Sequence, residues 1–446
     1  MNGRAPVAVL LLVYLAVGTL YAVYTPEWQA PDEPAHYNYI AQLAAGQWPI
    51  IEPGDYDQAY QSEVISSGFA DRYSVTSFEY EDYQPPLYYL LQTPVFLAFD
   101  GSLTALRLGS LVFGAGIVLL AYGVARRLFP QHKWLALTVA AFVAFLPQHV
   151  AMLAAVNNDS LSELLIAAIL FLVLRLRPAG DGGDGVNRRV LLALGLILGL
   201  GFLTKATVYL MAPIIAAALL WRFWGRWSQL AGSAALVFGL AFLIGFPWWT
   251  RNVLVYDDLD PLGIGAHNKV VTGQPRTEEW IDERGLGATL GALVQTTFQS
   301  FWGQFGWMGV VMPGWVYQIL LAFTLLTLTG AAWMAWRQAM GRKWPGWDAI
   351  RDSDLALAVT VMGGTLLLSV ALLLTYNVTF VQHQGRYLFP ALIPIGLLVA
   401  LAWSTLAMAA GRRWPAAAYL LPLALALGLV GLDLLALFRF IVPSLT

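Results

Sequence analysis

Cysteine is absent from all 446 residues. That excludes a disulfide framework, a thiolate metal site and a thiol nucleophile. Charge is scarce as well. Only 12% of the residues are Asp, Glu, Lys or Arg while 58% are hydrophobic, a balance that belongs to polytopic membrane proteins and not to soluble domains. The net charge of −2 leaves no basic footprint for nucleic acid. The five histidines, His36, His132, His149, His267 and His383, are scattered and form no His-x-x-x-His pair, so the usual helical signature of a zinc enzyme is missing. No internal repeat is visible of the kind that builds transporters from two halves.

What the chain has instead is long apolar runs. A hydrocarbon core takes about 20 apolar residues as helix. On that ruler spans fall near 5–24, 103–125, 134–152, 158–174, 190–204, 206–221, 228–249, 315–336, 354–376, 387–407 and 416–440. The expected fold is therefore an all-α polytopic membrane protein of about 11 transmembrane helices, with residues 1–446 forming a single transmembrane domain. Met1–Arg4 and the run to Tyr24 could imitate a signal peptide, but no small-residue cleavage site is evident, so this run reads as a retained helix.

Orientation follows from Lys and Arg. Sixteen of the 25 basic residues, from Arg4, Arg126 and Arg127 through Arg222 and Arg337 to Arg412 and Arg413, recur at every second connection. That side is assigned to the cytoplasm, with the N-terminus on it. An odd number of spans then puts the C-terminus outside. The longest cytoplasmic link, Arg175–Arg189, carries Gly-Asp-Gly-Gly-Asp-Gly and reads as a flexible linker, because it lacks the ligand spacing of a calcium loop. Two long connections, 25–102 and 250–314, lie outside, and the first is acidic. Pro34 at the head of Ala35–Ala44 fits a helix start. Leu87–Phe99 is apolar but too short to span. The first reads as a helix along the membrane interface, the second as another interfacial helix or a re-entrant one.

Function concentrates on those outer connections. Pro31-Asp32-Glu33-Pro34-Ala35-His36-Tyr37 places two carboxylates and an imidazole within a few residues of the first span. Acids at a helix N-terminus often only cap it. A carboxylate held partly buried at a bilayer surface can instead take a proton from a hydroxyl. Asp32 with Glu33 also offers oxygen ligands for a divalent cation such as Mg or Mn, although basic residues alone could neutralise a phosphate. Asn157-Asn158-Asp159-Ser160 puts four polar residues at a turn between spans, more than a turn needs. Glu163 follows one helical turn later and reads as a buried polar contact. Arg107, Lys205, Arg251 and Arg386 are among the few cations on the outer side. A cation at a span end can simply snorkel, but several facing one acidic loop would make a phosphate site. Arg386, with its fixed fork and His383 and Tyr387 nearby, is the foremost phosphate ligand. Tyr83, Gln84 and Tyr88, in Tyr83-Gln84-Pro85-Pro86-Leu87-Tyr88-Tyr89, add amide and aromatic groups that anchor to a membrane or stack on sugar rings.

In this order on this topology, the acidic pair Asp32-Glu33, Gln84-Pro85-Pro86-Leu87-Tyr88-Tyr89, Arg107, Asn157-Asn158-Asp159-Ser160, Leu203-Thr204-Lys205, Pro247–Asn252 with Asp260-Pro261-Leu262, and Gly385-Arg386-Tyr387 resemble the GT-C superfamily of glycosyltransferases. The resemblance is to its bacterial protein-mannosyltransferase and aminoarabinose-transferase branch and covers most of the chain. It implies transfer of a sugar from a polyprenyl-phosphate donor to an acceptor on the extracytoplasmic face of the bacterial inner membrane, with inversion. Asp32 would be the catalytic acid/base, supported by Glu33. His36, Tyr83, Gln84, Tyr88, Arg107, Asn158, Asp159, Lys205, Arg251, His383, Arg386 and Tyr387 would bind substrate, with Lys205, Arg251 and Arg386 on the lipid phosphate. The sequence carries no large outer C-terminal domain of the kind that reads acceptors in some relatives, so a lipid, a protein or a glycan acceptor all stay open. The alternative is a transporter or flippase of lipid-linked glycans. It would need polar groups deep in several spans, where Glu163 and Asp433 are the main ones.

Overall fold

The computed structural model describes residues 4–177, 187–256, 259–341, 352–411 and 417–446. The Gly/Asp-rich linker lies outside the described residues, as do Arg342, Lys343, Arg351, Arg412 and Arg413 of the basic pattern. All eleven expected segments contain helix. Among the described residues, seven helices are long and apolar enough to cross a membrane: Ala5–Tyr24, Leu103–Leu128, Trp227–Val255, Gly314–Ala339, Asp354–Thr379, Gly385–Met408 and Pro422–Leu445.

The other four segments depart from the expected span, each for a local reason. The run 134–152 is two helices, Lys133–Ala144 and Pro147–Leu153, bent by 63°. Pro147 has no N–H to continue the ladder and forces Leu146 into the extended region. The helices Asp159–Val173 and Arg188–Phe202 have 15 residues each, about 22 Å of length against a hydrocarbon core of about 30 Å. Ala206–Leu210 is a 3₁₀ turn that leads into Met211–Arg222. These shorter elements bury one face against the bundle, while Leu192, Leu196, Leu220 and Trp221 stay exposed. Nine of the twelve residues of Lys133–Ala144 are buried, and hydropathy alone cannot separate a buried half-span from one facing lipid. Arg188–Phe202 lies against Trp227–Val255 so closely that a Cβ on Gly195 would come within 2.8 Å of the Val237 carbonyl oxygen, the small-residue contact typical of membrane helices.

The two long connections fold over one end of the bundle and touch each other. The Trp307 indole donates to the Trp28 carbonyl at 2.9 Å, and the Ile51 amide donates to the Tyr256 hydroxyl at 3.3 Å. Residues 25–102 hold helices Glu33–Ala44, Gln58–Ser66 and Leu87–Ala98. The first, expected at the membrane interface, buries Glu33–His36 and Asn38–Ile40, so it is packed into the protein. Its Tyr39 stacks on Tyr89 of the third at 3.7 Å. Leu90, Leu91 and Leu97 keep an exposed apolar face on that third helix. The middle helix went unpredicted; Asp57 caps it by accepting from the Ala59 and Tyr60 amides. Residues 250–314 add Ile264–Val270, Thr277–Arg284, Leu286–Trp302 and a hairpin pairing Gln304–Phe305 with Val310–Val311.

One buried ion pair fixes the first connection to the bundle. Arg107 gives its Nε to Glu33 Oε1 at 2.8 Å and an Nη2 hydrogen to Oε2 at 2.6 Å. Its remaining donors go to the carbonyls of Ala22, Thr25 and Pro26. Glu33 Oε1 also accepts the Val156 amide at 3.1 Å. All five guanidinium donors are satisfied, and both groups are at most 2% exposed.

Candidate active site

Asp32 stands at the N-cap of the Glu33–Ala44 helix but does not cap it. Its backbone is left-handed (φ 65°) and its side chain makes no capping hydrogen bond. An Asp tolerates that conformation at some cost, and such strain gathers at functional sites. The carboxylate turns to side chains far along the chain. Tyr80 Oη donates to Oδ1 at 3.1 Å, and Arg386 Nη2 donates to Oδ2 at 2.9 Å. Burial raises the Asp32 carboxyl, but the Arg386 charge and these hydrogen bonds outweigh it and hold the group below the usual carboxylate range.

Arg386 reaches this point because of the glycine before it. The Gly385 amide donates to Ser300 Oγ at 2.8 Å. A Cβ on Gly385 would lie 2.3 Å from the Phe301 amide nitrogen and 2.5 Å from the Thr297 carbonyl oxygen. The 3₁₀ turn Gly385–Ala391 is thus pressed backbone to backbone against Leu286–Trp302, which aims the guanidinium at Asp32.

A second pair faces the same space. Asp159 opens its short helix, a position that favours negative charge, and its Oδ1 accepts from Lys205 Nζ at 2.7 Å. The preceding turn is built by its own amides. Asn157 holds the Met152 carbonyl at 2.6 Å, and Asn158 Nδ2 lies 3.3 Å from Gln84 Oε1 and 3.4 Å from the Thr204 carbonyl.

These groups line one cavity of about 430 Å³. Of the residues singled out from sequence, Asp32, Tyr83, Gln84, Asp159, Lys205, Arg386 and Tyr387 are on its wall. Glu33 and Arg107 are not; they form the buried clamp described above. The Asp32–Glu33 pair therefore does not converge, and its two carboxylates do not make a shared site for Mg or Mn. Among the described residues no three of His, Asp and Glu form a group that could hold a metal ion. His36 sits behind the wall with Nδ1 2.9 Å from Tyr89 Oη; burial, then the charge of Lys205, lower it to about 3, so the ring is neutral. Tyr88 is buried against Ser110 at 2.7 Å. Asn158 supports Gln84 from the second layer. Arg251 is held by the Pro49 carbonyl, Asn252 and Tyr256 and lies over the Trp248 ring, so it braces the two connections. His383 packs edge-on against Trp280 at 5.5 Å.

The cavity also holds groups that sequence reasoning did not single out for chemistry: Tyr80, Glu81, His267 and Tyr376, with Glu163 on the wall too. Glu163 Oε2 meets His149 Nε2 at 2.8 Å, and His149 Nδ1 donates to the Val143 carbonyl at 2.7 Å. Glu81 takes a hydrogen bond from Gln84 Nε2 at 2.8 Å. Burial, then the neighbouring Asp32, push it up to about 8. The one sequence signal for Glu81 was its place beside Tyr80 and Gln84; nothing in composition marks its burial.

Long apolar helices carry acids and cations on the connections at one end, and the fold as a whole is GT-C-like. Two crystal structures of ArnT from Cupriavidus metallidurans share it. One, bound to undecaprenyl phosphate, aligns with 99% of this chain and 73% of its own at 14% identity and a TM-score of 0.52. The apo form aligns with 100% and 74% at 16% identity and a TM-score of 0.55. An oligosaccharyltransferase of Archaeoglobus fulgidus aligns with 98% of this chain and 54% of its own, at 15% identity and a TM-score of 0.53. In sequence, the undecaprenyl phosphate-alpha-4-amino-4-deoxy-L-arabinose arabinosyl transferase of Pseudomonas paraeruginosa is 32% identical over 156 residues, 34% of this chain. That stretch spans only about a quarter of the relative, 27% of its length. The chain itself belongs to the family described as "Predicted membrane protein (DUF2142)", whose model matches residues 57–395. It is a multi-pass integral membrane protein.

Proposed function

We propose that this protein is an inverting glycosyltransferase that takes a sugar from a polyprenyl-phosphate donor and passes it to an acceptor hydroxyl. The observation that carries the reading is the pairing of Asp32 with Arg386 and Asp159 with Lys205 in one cavity, with Asp32 released from helix capping. The relatives add support, since their printed names concern undecaprenyl phosphate and a transferred sugar.

The chemistry follows from those two pairs. A donor phosphate entering the cavity competes with Asp32 for Arg386 and with Asp159 for Lys205. As Arg386 turns to the phosphate, Asp32 loses the charge that held it acidic and becomes a better base. Asp32 takes the proton of the acceptor hydroxyl. The acceptor oxygen bonds to the anomeric carbon as the bond from that carbon to the phosphate oxygen breaks, and the phosphate leaves with the electron pair. Arg386 and Lys205 stabilise the charge that builds on it. Tyr83 and Tyr387 offer ring faces to the sugar. No step is routed through a divalent cation, because Glu33 is consumed by Arg107 and leaves Asp32 without a second carboxylate from that pair.

The alternation of basic links supports placing the cavity on the extracytoplasmic side of the bacterial inner membrane, with the N-terminus in the cytoplasm. On this reading residues 1–446 are one catalytic unit whose outer connections, 25–102 and 250–314, cover the site. The acceptor is any hydroxyl-bearing lipid, protein or glycan that fits beside Asp32. The test is sugar release from a panel of radiolabelled polyprenyl-phosphate sugars by purified protein in lipid nanodiscs. Turnover by the wild type that is lost in folded Asp32→Asn supports the reading. No turnover with any donor, together with lipid-phosphate binding that is indifferent to Arg386→Ala, would return the transporter alternative.

A further inference from the structure

Among the described residues, pairing within the cavity leaves one acid without a cationic or imidazole partner. Asp32 is taken by Arg386, Asp159 by Lys205 and Glu163 by His149. Glu81 has the Gln84 amide. It nonetheless opens on the same space as Arg386 and Lys205, and Tyr80, its neighbour in the chain, donates to Asp32. An ionised Glu81 at this place would repel any phosphate that the two cations draw in. A neutral one presents an O–H toward the phosphate, a strong donor to an anionic oxygen.

We propose that Glu81 works as a neutral carboxylic acid, the hydrogen-bond donor that completes phosphate binding between Arg386 and Lys205. The inference rests on the glycosyl-transfer reading, since the phosphate is that of the lipid donor. It assigns Glu81 a role opposite to that of Asp32. One carboxyl must be ionised to accept a proton, and the other must stay protonated to keep a hydrogen bond.

The groups around Glu81 agree with this. Asp32 adds to burial in disfavouring the ionisation of Glu81, while Lys205, the Gln84 hydrogen bond and Arg386 act the other way and do not outweigh the two. Tyr83 is pushed up by burial and by Glu81 itself, and the phenol of Tyr376 faces the same space. His267, which packs on Tyr83 at 4.5 Å, is lowered by burial. Asp82, the next residue, is also pushed up to about 8, but it faces Gln42 and is not on the cavity wall.

The test is binding of undecaprenyl phosphate to the full chain in nanodiscs between pH 7 and 9.5. The second pKa of a phosphate monoester is about 6, so the ligand's charge is nearly constant over this range. For the wild type, Kd should rise about tenfold per pH unit above about 8, as the protonated fraction falls. Glu81→Gln keeps an N–H donor but cannot ionise. It should bind within about threefold of the wild type at pH 7 and hold that affinity at pH 9.5. Asp82→Asn should keep the wild-type weakening. The same alkaline weakening in Glu81→Gln overturns the inference, and so does a folded Glu81→Gln protein that no longer binds at pH 7. Wild type that binds at no pH overturns the lipid-phosphate reading itself.

Discussion

Asp32 and Glu33 are adjacent carboxylates, each paired with an arginine from a distant helix, and they do different work. Glu33 is fully enclosed, and Arg107 spends every donor on it and on three carbonyls. Asp32 meets Arg386 through one hydrogen bond at the edge of a cavity, with side-chain exposures of 26% and 15%. A closed pair has no capacity left for a ligand and serves as a fastener. An open pair can exchange one partner for a substrate. Two neighbouring acids are thus separated into a closed pair and an open one by how many of their hydrogen-bonding positions are already filled.

The comparison breaks most visibly on the closed side. Glu33→Ala or Arg107→Ala leaves a buried charge unpaired, which costs about 3–5 kcal/mol. The expected result is loss of folded protein in detergent, read by size-exclusion chromatography and thermal unfolding, and Arg107→Lys should not restore it, since an ammonium lacks the fork. On the open side Asp32→Asn should keep the left-handed backbone and a melting temperature near wild type while turnover falls about 10²–10⁴-fold. A large drop in stability for Asp32→Asn would erase the distinction.

Smaller effects sharpen it. Gly385→Ala must move backbone or tilt the 3₁₀ turn, a strain of about 1–3 kcal/mol. It should weaken lipid-phosphate binding more than it lowers the melting temperature, because Arg386 is displaced with the turn. Arg386→Lys should recover only part of the binding lost in Arg386→Ala. A further effect concerns pH. Asp82 has a folded-state pKa of about 8, raised by burial. It therefore favours folding most below the ordinary carboxylate range, and that contribution is lost as pH rises through about 8. Asp82→Asn should flatten the decline in thermal stability between pH 5 and 9, measured against wild type in the same buffer series.

Much of this was legible in the chain. The helical segments follow from apolar run length, and Asp32, Asp159, Lys205 and Arg386 stood out because charge at a span end demands a reason. What the sequence could not carry was direction and depth. Neighbouring residues on a helix point about 100° apart, so nothing in Asp32-Glu33 tells which one meets the cavity. Glu81 looks like any other acid of an acidic loop until burial is known. Pro147 gave a local signal for the broken helix, whereas the shortness of Asp159–Val173 is decided by a polar turn at its head and by the packing around it.

Those two 15-residue helices have a geometric consequence. Each runs from the basic side of the bundle to the cavity and falls about 8 Å short of a full hydrocarbon core. On the glycosyl-transfer reading, helices this short would set the floor of the cavity below the plane where lipid headgroups sit. An isoprenoid tail loses about 0.8 kcal/mol for every methylene drawn into water, so a chamber above that plane would have to haul its donor upward against a steep gradient. On that reading a sunken chamber would let a lipid donor glide in sideways at its resting depth. The acceptor would then make the descent, and the depth of the floor would favour acceptors slender enough to follow it.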